Sequence, residues 1–206
     1  MKKIPYLVFP LLLLLLLTNC FNKKDDLLPE VKPIAINSID VTEYQLYSLI
    51  LKENFKSSKE LVIKQKTVAS TSSFPVKGYQ ETIQKAHADL DVSIFTDFIE
   101  KNDSSYNLGD KITVPSKTIT LISNEDVQQF FTSKDVNKGW TDFYKKYPDS
   151  GGMIDFTRVG FNEDKSQAIV AVGHYYASLG ADGSLIYLTK KNNTWRIVQT
   201  ISTWAS

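Results

Sequence analysis

Gln167-Ala168-Ile169-Val170-Ala171-Val172-Gly173-His174-Tyr175-Tyr176 decides the fold, together with Leu185-Ile186-Tyr187-Leu188 and Trp195-Arg196-Ile197-Val198-Gln199-Thr200. The first run is apolar at odd and even positions alike, as a strand covered on both sides requires. Gly180-Ala181-Asp182-Gly183 and Lys190-Lys191-Asn192-Asn193 separate the three runs, and both are made of turn formers. A strand over residues 153–161 precedes them, with Ile154, Phe156 and Arg158 alternating against Asp155, Thr157 and Val159. Asn162-Glu163-Asp164-Lys165 turns that strand back. Four strands joined by short polar turns predict an antiparallel meander.

Outward from the meander the pattern becomes helical. Trp140, Phe143, Tyr144 and Tyr147 recur at spacings of three and four, which predicts a helix from Asn137 or Lys138 that stops before Pro148. Tyr44, Tyr47, Leu51 and Phe55 form a second stripe, widened by Val41, Leu46 and Ile50. Asp40 with Glu43, or Thr42 with Gln45, has the spacing of a capping box at its start. Leu61, Ile63 and Thr67 against Val62 and Val68 suggest a strand, and residues 70–78 a loop. A helix over 79–102 carries Ile83, Leu90, Ile94, Phe95 and Phe98. Residues 112–122 read as extended, with Pro115 demoting their start to an edge or bulge. Ser123 or Asn124 can cap a short helix bearing Val127, Phe130 and Phe131. The sum is a single α+β domain over residues 37–206, a C-terminal four-stranded antiparallel meander covered on one face by N-terminal helices.

The amino terminus follows a different logic. Met1-Lys2-Lys3 and an apolar run over 4–17 have the layout of a secretory signal peptide, 1–19, and are too short to span a bilayer. Leu17-Thr18-Asn19-Cys20 resembles the bacterial lipobox, with Asn19 in place of the usual small residue. Cys20 is the sole cysteine, so no intramolecular disulfide can form, and acylation of its sulfur accounts for an odd cysteine in an exported chain. Two or three acyl chains hold a protein on a membrane where one would be marginal. Residues 20–36 read as a polar tether, and Lys24-Asp25-Asp26 within them is either a spacer or similar to the tag of some surface-displayed lipoproteins.

Gly139-Trp140, Phe143-Tyr144, Lys146-Tyr147-Pro148, Ser150-Gly151, Arg158-Val159-Gly160-Phe161, Ala168, Leu188, Lys190, Trp195 and Trp204-Ala205-Ser206 occur in that order. The run resembles a group of uncharacterised bacterial secreted proteins and lipoproteins, over the second half of the chain and more faintly around residues 47–67. The resemblance implies a fold and no agreed activity. Some members of that group carry cysteines in the second hairpin, where this chain has His174-Tyr175-Tyr176-Ala177-Ser178, so no thiol role carries over.

Formal charge is +1, or about −1 once Lys2 and Lys3 are removed, which gives no electrostatic case for nucleic acid. His87 and His174 are the only histidines, and the spacings HxxxH, HExxH and CxxC are absent, so neither metal nor cofactor is expected. No GxSxG elbow or SxxK motif exists. The one nucleophilic constellation is Ser150 and His174 with Asp149 or Asp155; against it, serine and aspartate are ordinary turn formers and His174 fits a plain strand position. The aromatic residues Tyr175, Tyr176, Tyr187, Trp195 and Trp204 could line a cleft or fill a core, and Trp140, Phe143, Phe161 and Trp195 are read as core. Tyr175 and Tyr176 point to opposite faces of the strand. Any site should lie at the sheet end shared by Ser150, His174, Tyr176 and Asp182, with Tyr175, Tyr176 and Asp182 as candidate ligand contacts.

The expectation is a membrane-anchored envelope lipoprotein, on the outer membrane at its periplasmic side or at the cell surface. Its domain would act as a non-enzymatic binding module for an envelope protein or small ligand. The alternatives are a small hydrolase using Ser150 and His174, and a structural subunit of an envelope complex.

Overall fold

In a computed structural model of the chain, residues 39–69, 76–132 and 134–206 are described. The expected signal peptide, Cys20 and the tether lie outside them, as does most of the expected loop over 70–78. The elements run α1 (Val41–Asn54), β1 (Glu60–Lys64), α2 (Val76–Ala86), α3 (Ser93–Lys101), β2 (Thr118–Ile122), α4 (Asn124–Phe130) and α5 (Val136–Lys146). Then follow β3 (Ser150–Phe156), β4 (Gly160–Phe161), β5 (Gln167–Ala177), β6 (Gly180–Lys191) and β7 (Thr194–Ala205).

The class is α+β, and β5, β6 and β7 pair antiparallel in sequence order. The sheet, however, has seven strands rather than four. Its order is β2-β1-β3-β5-β6-β7, with β4 pairing β5 off that path. β1 pairs in parallel with both β2 and β3, so the sheet is mixed. Parallel neighbours need crossover connections, and the helical segments α2–α3 and α4–α5 provide them. Leu61, Val62 and Ile63 are all buried, as a central parallel strand demands.

Both faces are covered, where coverage of one was expected. Leu61, Ile63, Ile154, Phe156, Val170, Val172, Ile186 and Leu188 pack with Tyr44, Leu46, Tyr47, Ile50 and Leu51 of α1. Residues of alternate parity face the other way. There Ile169, Leu185 and Tyr187 meet Ile83, Ile94, Phe95 and Phe98 of α2 and α3, while Val62, Ile122 and Met153 meet Trp140, Phe143 and Tyr147. Trp140, Phe143 and Phe161 are core as read, but Trp195 is only half-buried beside Phe161.

The remaining departures have local causes. The expected helix over 79–102 is two helices, because Gln167 holds the backbone between them: its Oε1 accepts from the Asp91 amide (2.9 Å) and its Nε2 donates to the Asp89 carbonyl (2.8 Å). The expected strand over 153–161 breaks after Phe156. The Arg158 guanidinium turns to Glu43 with bonds of 2.8 and 2.6 Å, and Asn102 accepts from the Arg158 amide at 2.7 Å. Glu43 is fully buried and accepts from Val159 N as well, so it is not the second half of a capping box. Asp40 alone caps α1, accepting from Thr42 N at 2.7 Å. The turn after β5 is Ser178-Leu179, and Gly180 to Gly183 lie within β6. That places Asp182 directly opposite His174. The last turn is tight, with Asn192 and Asn193 both at positive φ (49° and 60°), the geometry that asparagine tolerates in two-residue hairpins.

Candidate functional site

At one end of the α1-facing side of the sheet lies a cleft of about 290 Å³, lined by Asn54, Phe55, Ser57, Ser58, Gly151, Val172, His174, Asp182 and Ser184. β5 and β6 supply its floor, because their register sets His174 across from Asp182 and Val172 across from Ser184. The segment leaving α1 supplies its wall. Lys117 pins that wall by donating to the carbonyls of Phe55 (2.9 Å), Lys56 (3.1 Å) and Ser58. Gly151 lets wall and floor close together, since a Cβ there would lie 2.6 Å from Ser58 Oγ.

His174 Nε2 is 2.8 Å from the Gly151 carbonyl oxygen. A carbonyl only accepts, so Nε2 carries the hydrogen, and in the neutral ring Nδ1 is left with a lone pair. Nδ1 lies 3.8 Å from Asp182 Oδ2, beyond hydrogen-bond range. The imidazole is wedged between Phe55 (centroids 5.0 Å apart, edge-on) and Tyr176 (5.0 Å). It is held in place, with one acceptor beside a carboxylate.

Ser150 does not complete a dyad. Its hydroxyl donates to the Tyr147 carbonyl at 2.8 Å, and among the described residues no hydrogen bond joins it to His174. Asp155 is on the opposite face, where it receives Lys64 Nζ at 3.0 Å. Tyr175 joins Asp155 there: Lys64 stands over its ring at 4.0 Å and Trp204 packs at 5.7 Å. Burial first, then the Asp155 charge, push the Tyr175 hydroxyl well above the usual phenol range. Gly173 leaves the room this cluster needs, since a Cβ would meet Asp155 Oδ1 at 2.4 Å. The candidate contacts Tyr175, Tyr176 and Asp182 therefore split, with Tyr176 and Asp182 beside His174 and Tyr175 on the far side. Phe55, Ser58 and Ser184 join the site without having been singled out for it in sequence. The only sign was that the stripe of α1 ends on Phe55 just before a run of serines. His87 follows the end of α2 rather than lying mid-helix, 5.3 Å from the Tyr187 ring.

Among the described residues no three His, Cys, Asp or Glu side chains converge on a point that could hold a metal ion. No described helix is long and apolar enough to cross a membrane. No family model matches the chain, and neither does any curated protein or solved structure.

Proposed function

We propose that this chain is a bacterial envelope lipoprotein whose α+β domain is a non-enzymatic binding module, held on the outer membrane through acylated Cys20. The observation that carries the anchor is the sole cysteine, which closes an apolar run behind Leu17-Thr18-Asn19, ahead of the compact unit Asn37–Ser206. What favours binding over hydrolysis is the use already made of Ser150 and His174, each tied to a main-chain carbonyl. The structured cleft beside them is small and preformed, as ligand sites generally are. Likeness to the group of secreted proteins and lipoproteins named above belongs to the same proposal.

Cys20→Ala is the test. It should move the protein from the membrane fraction to the soluble one, or leave it as unprocessed precursor, while the wild-type amino-terminal peptide carries acyl mass on the cysteine. A processed wild-type peptide with a bare thiol, or membrane retention of a processed variant, overturns the anchor.

A further inference from the structure

We infer that the His174–Asp182 cleft is a site for a primary ammonium group carried on a short aliphatic stem. The inference rests on reading the domain as a binding module and names what it binds. Asp182 is the only lining residue with a permanent charge, and His174 Nδ1 adds a lone pair 3.8 Å from its carboxylate. Two acceptors at that separation repel each other, and a single donor group facing both from the cleft can bridge them. An ammonium nitrogen seated on the cleft side of the pair, off the line that joins them and about 2.8 Å from each, donates to both and keeps a third hydrogen for a hydroxyl. Ser58 and Ser184 supply hydroxyls in the same lining.

Lys117, which braces the wall, is committed to three of its carbonyls. The tautomer is fixed by Gly151, so the acceptor cannot be traded for a donor without charging the ring. Val172 and Phe55 give the stem an apolar surface. A neutral hydroxyl in the same place would leave the carboxylate without a counter-charge. A zinc ion would find two protein ligands where its structural sites use four. The ammonium can come from a free amine or from the headgroup of an ethanolamine lipid, and both present the same chemistry.

The test is calorimetric titration of the full chain carrying Cys20→Ala, with putrescine and with neutral 1,4-butanediol, and flotation with phosphatidylethanolamine or phosphatidylcholine vesicles. Saturable binding is expected for putrescine or for the ethanolamine vesicles, and for neither neutral diol nor choline headgroup. Asp182→Asn should weaken it by at least about tenfold. The melting curve of that variant should be unchanged, because the Asp182 side chain is half exposed. Putrescine alone identifies a soluble amine, and vesicles alone identify a headgroup. Equal binding of diol and diamine, full affinity in Asp182→Asn, or no saturation of either partner up to about 10 mM overturns the inference. The anchor is decided separately, by the mass of the amino-terminal peptide.

Discussion

Two acid–base pairs on the α1-facing side of the sheet have opposite fates. Glu43 and Arg158 are sealed: the carboxylate is fully buried, accepts from Arg158 Nε and Nη2 and from Val159 N, and stands 3.3 Å from the Tyr47 hydroxyl. Burial and the Glu43 charge drive that hydroxyl well above its ordinary range, so it stays a donor. Asp182 and His174 stand at the rim, 3.8 Å apart, with acceptor capacity to spare. The sealed pair has no valence left for a ligand and holds together segments far apart in the chain. In the open pair the two groups do not bond each other, and the half-exposed Asp182 carboxylate faces the cleft. A charge that is buried and fully bonded is structural; one that is positioned and unfilled points to a site.

The largest effect should come from breaking the sealed pair. Glu43→Ala leaves Arg158 buried without its counter-charge and should destabilise by about 3–5 kcal/mol, read from urea unfolding. Replacing both residues with apolar ones of similar volume should recover much of that loss. If the single variant costs less than about 1 kcal/mol, water reaches Arg158 and the pair is not sealed.

A partly exposed pair should fall between. Asp40 bonds Lys165 at 2.6 Å, and this contact, followed by the Thr42 amide, lowers its carboxyl to about 2. A depressed carboxyl adds stability above its unfolded value of 3.8, and that stability disappears as pH falls through about 2. Solvent screening should hold the contribution under about 1 kcal/mol. Asp40→Asn keeps a good cap, so it should trail wild type slightly at pH 7, with the gap narrowing as pH falls towards 2. A deficit of constant size between pH 7 and pH 2 would mean the cap, not the ion pair, had been lost.

The smallest effect belongs to the open pair. Asp182→Asn should change stability by less than about 0.5 kcal/mol in thermal melts. A larger loss would make Asp182 structural and erase the contrast.

What the sequence disclosed depended on how far apart the interacting residues lie. α5 was legible from Trp140, Phe143 and Tyr147 ahead of Pro148, and the β5–β6–β7 meander from apolar runs separated by short polar turns, because neighbours in space were neighbours in the chain. β1 was legible as a strand from Leu61, Val62 and Ile63, but its parallel pairing was not, because its partners β2 and β3 follow crossovers that leave no turn signal. Glu43 had the spacing of a capping box, and only Arg158, far downstream, settled its role. The break before α3 depends on the Gln167 amide. The site was half legible: His174, Tyr176 and Asp182 fell together, but moving the hairpin turn to Ser178-Leu179 decided which residue faced the imidazole. Phe55 and Ser58 reached the cleft through tertiary packing alone.

The parallel placement of β1 also governs when this protein can acquire its shape. Its two flanking strands begin only at Thr118 and Ser150, and α1 gains its buried counter-ion only with Arg158. A growing chain therefore has no finished amino-terminal half to collapse into, and sheet closure waits on long-range loops that fold slowly. Under the export proposed above, such delay would leave the chain unfolded long enough to be threaded through a pore before it locks.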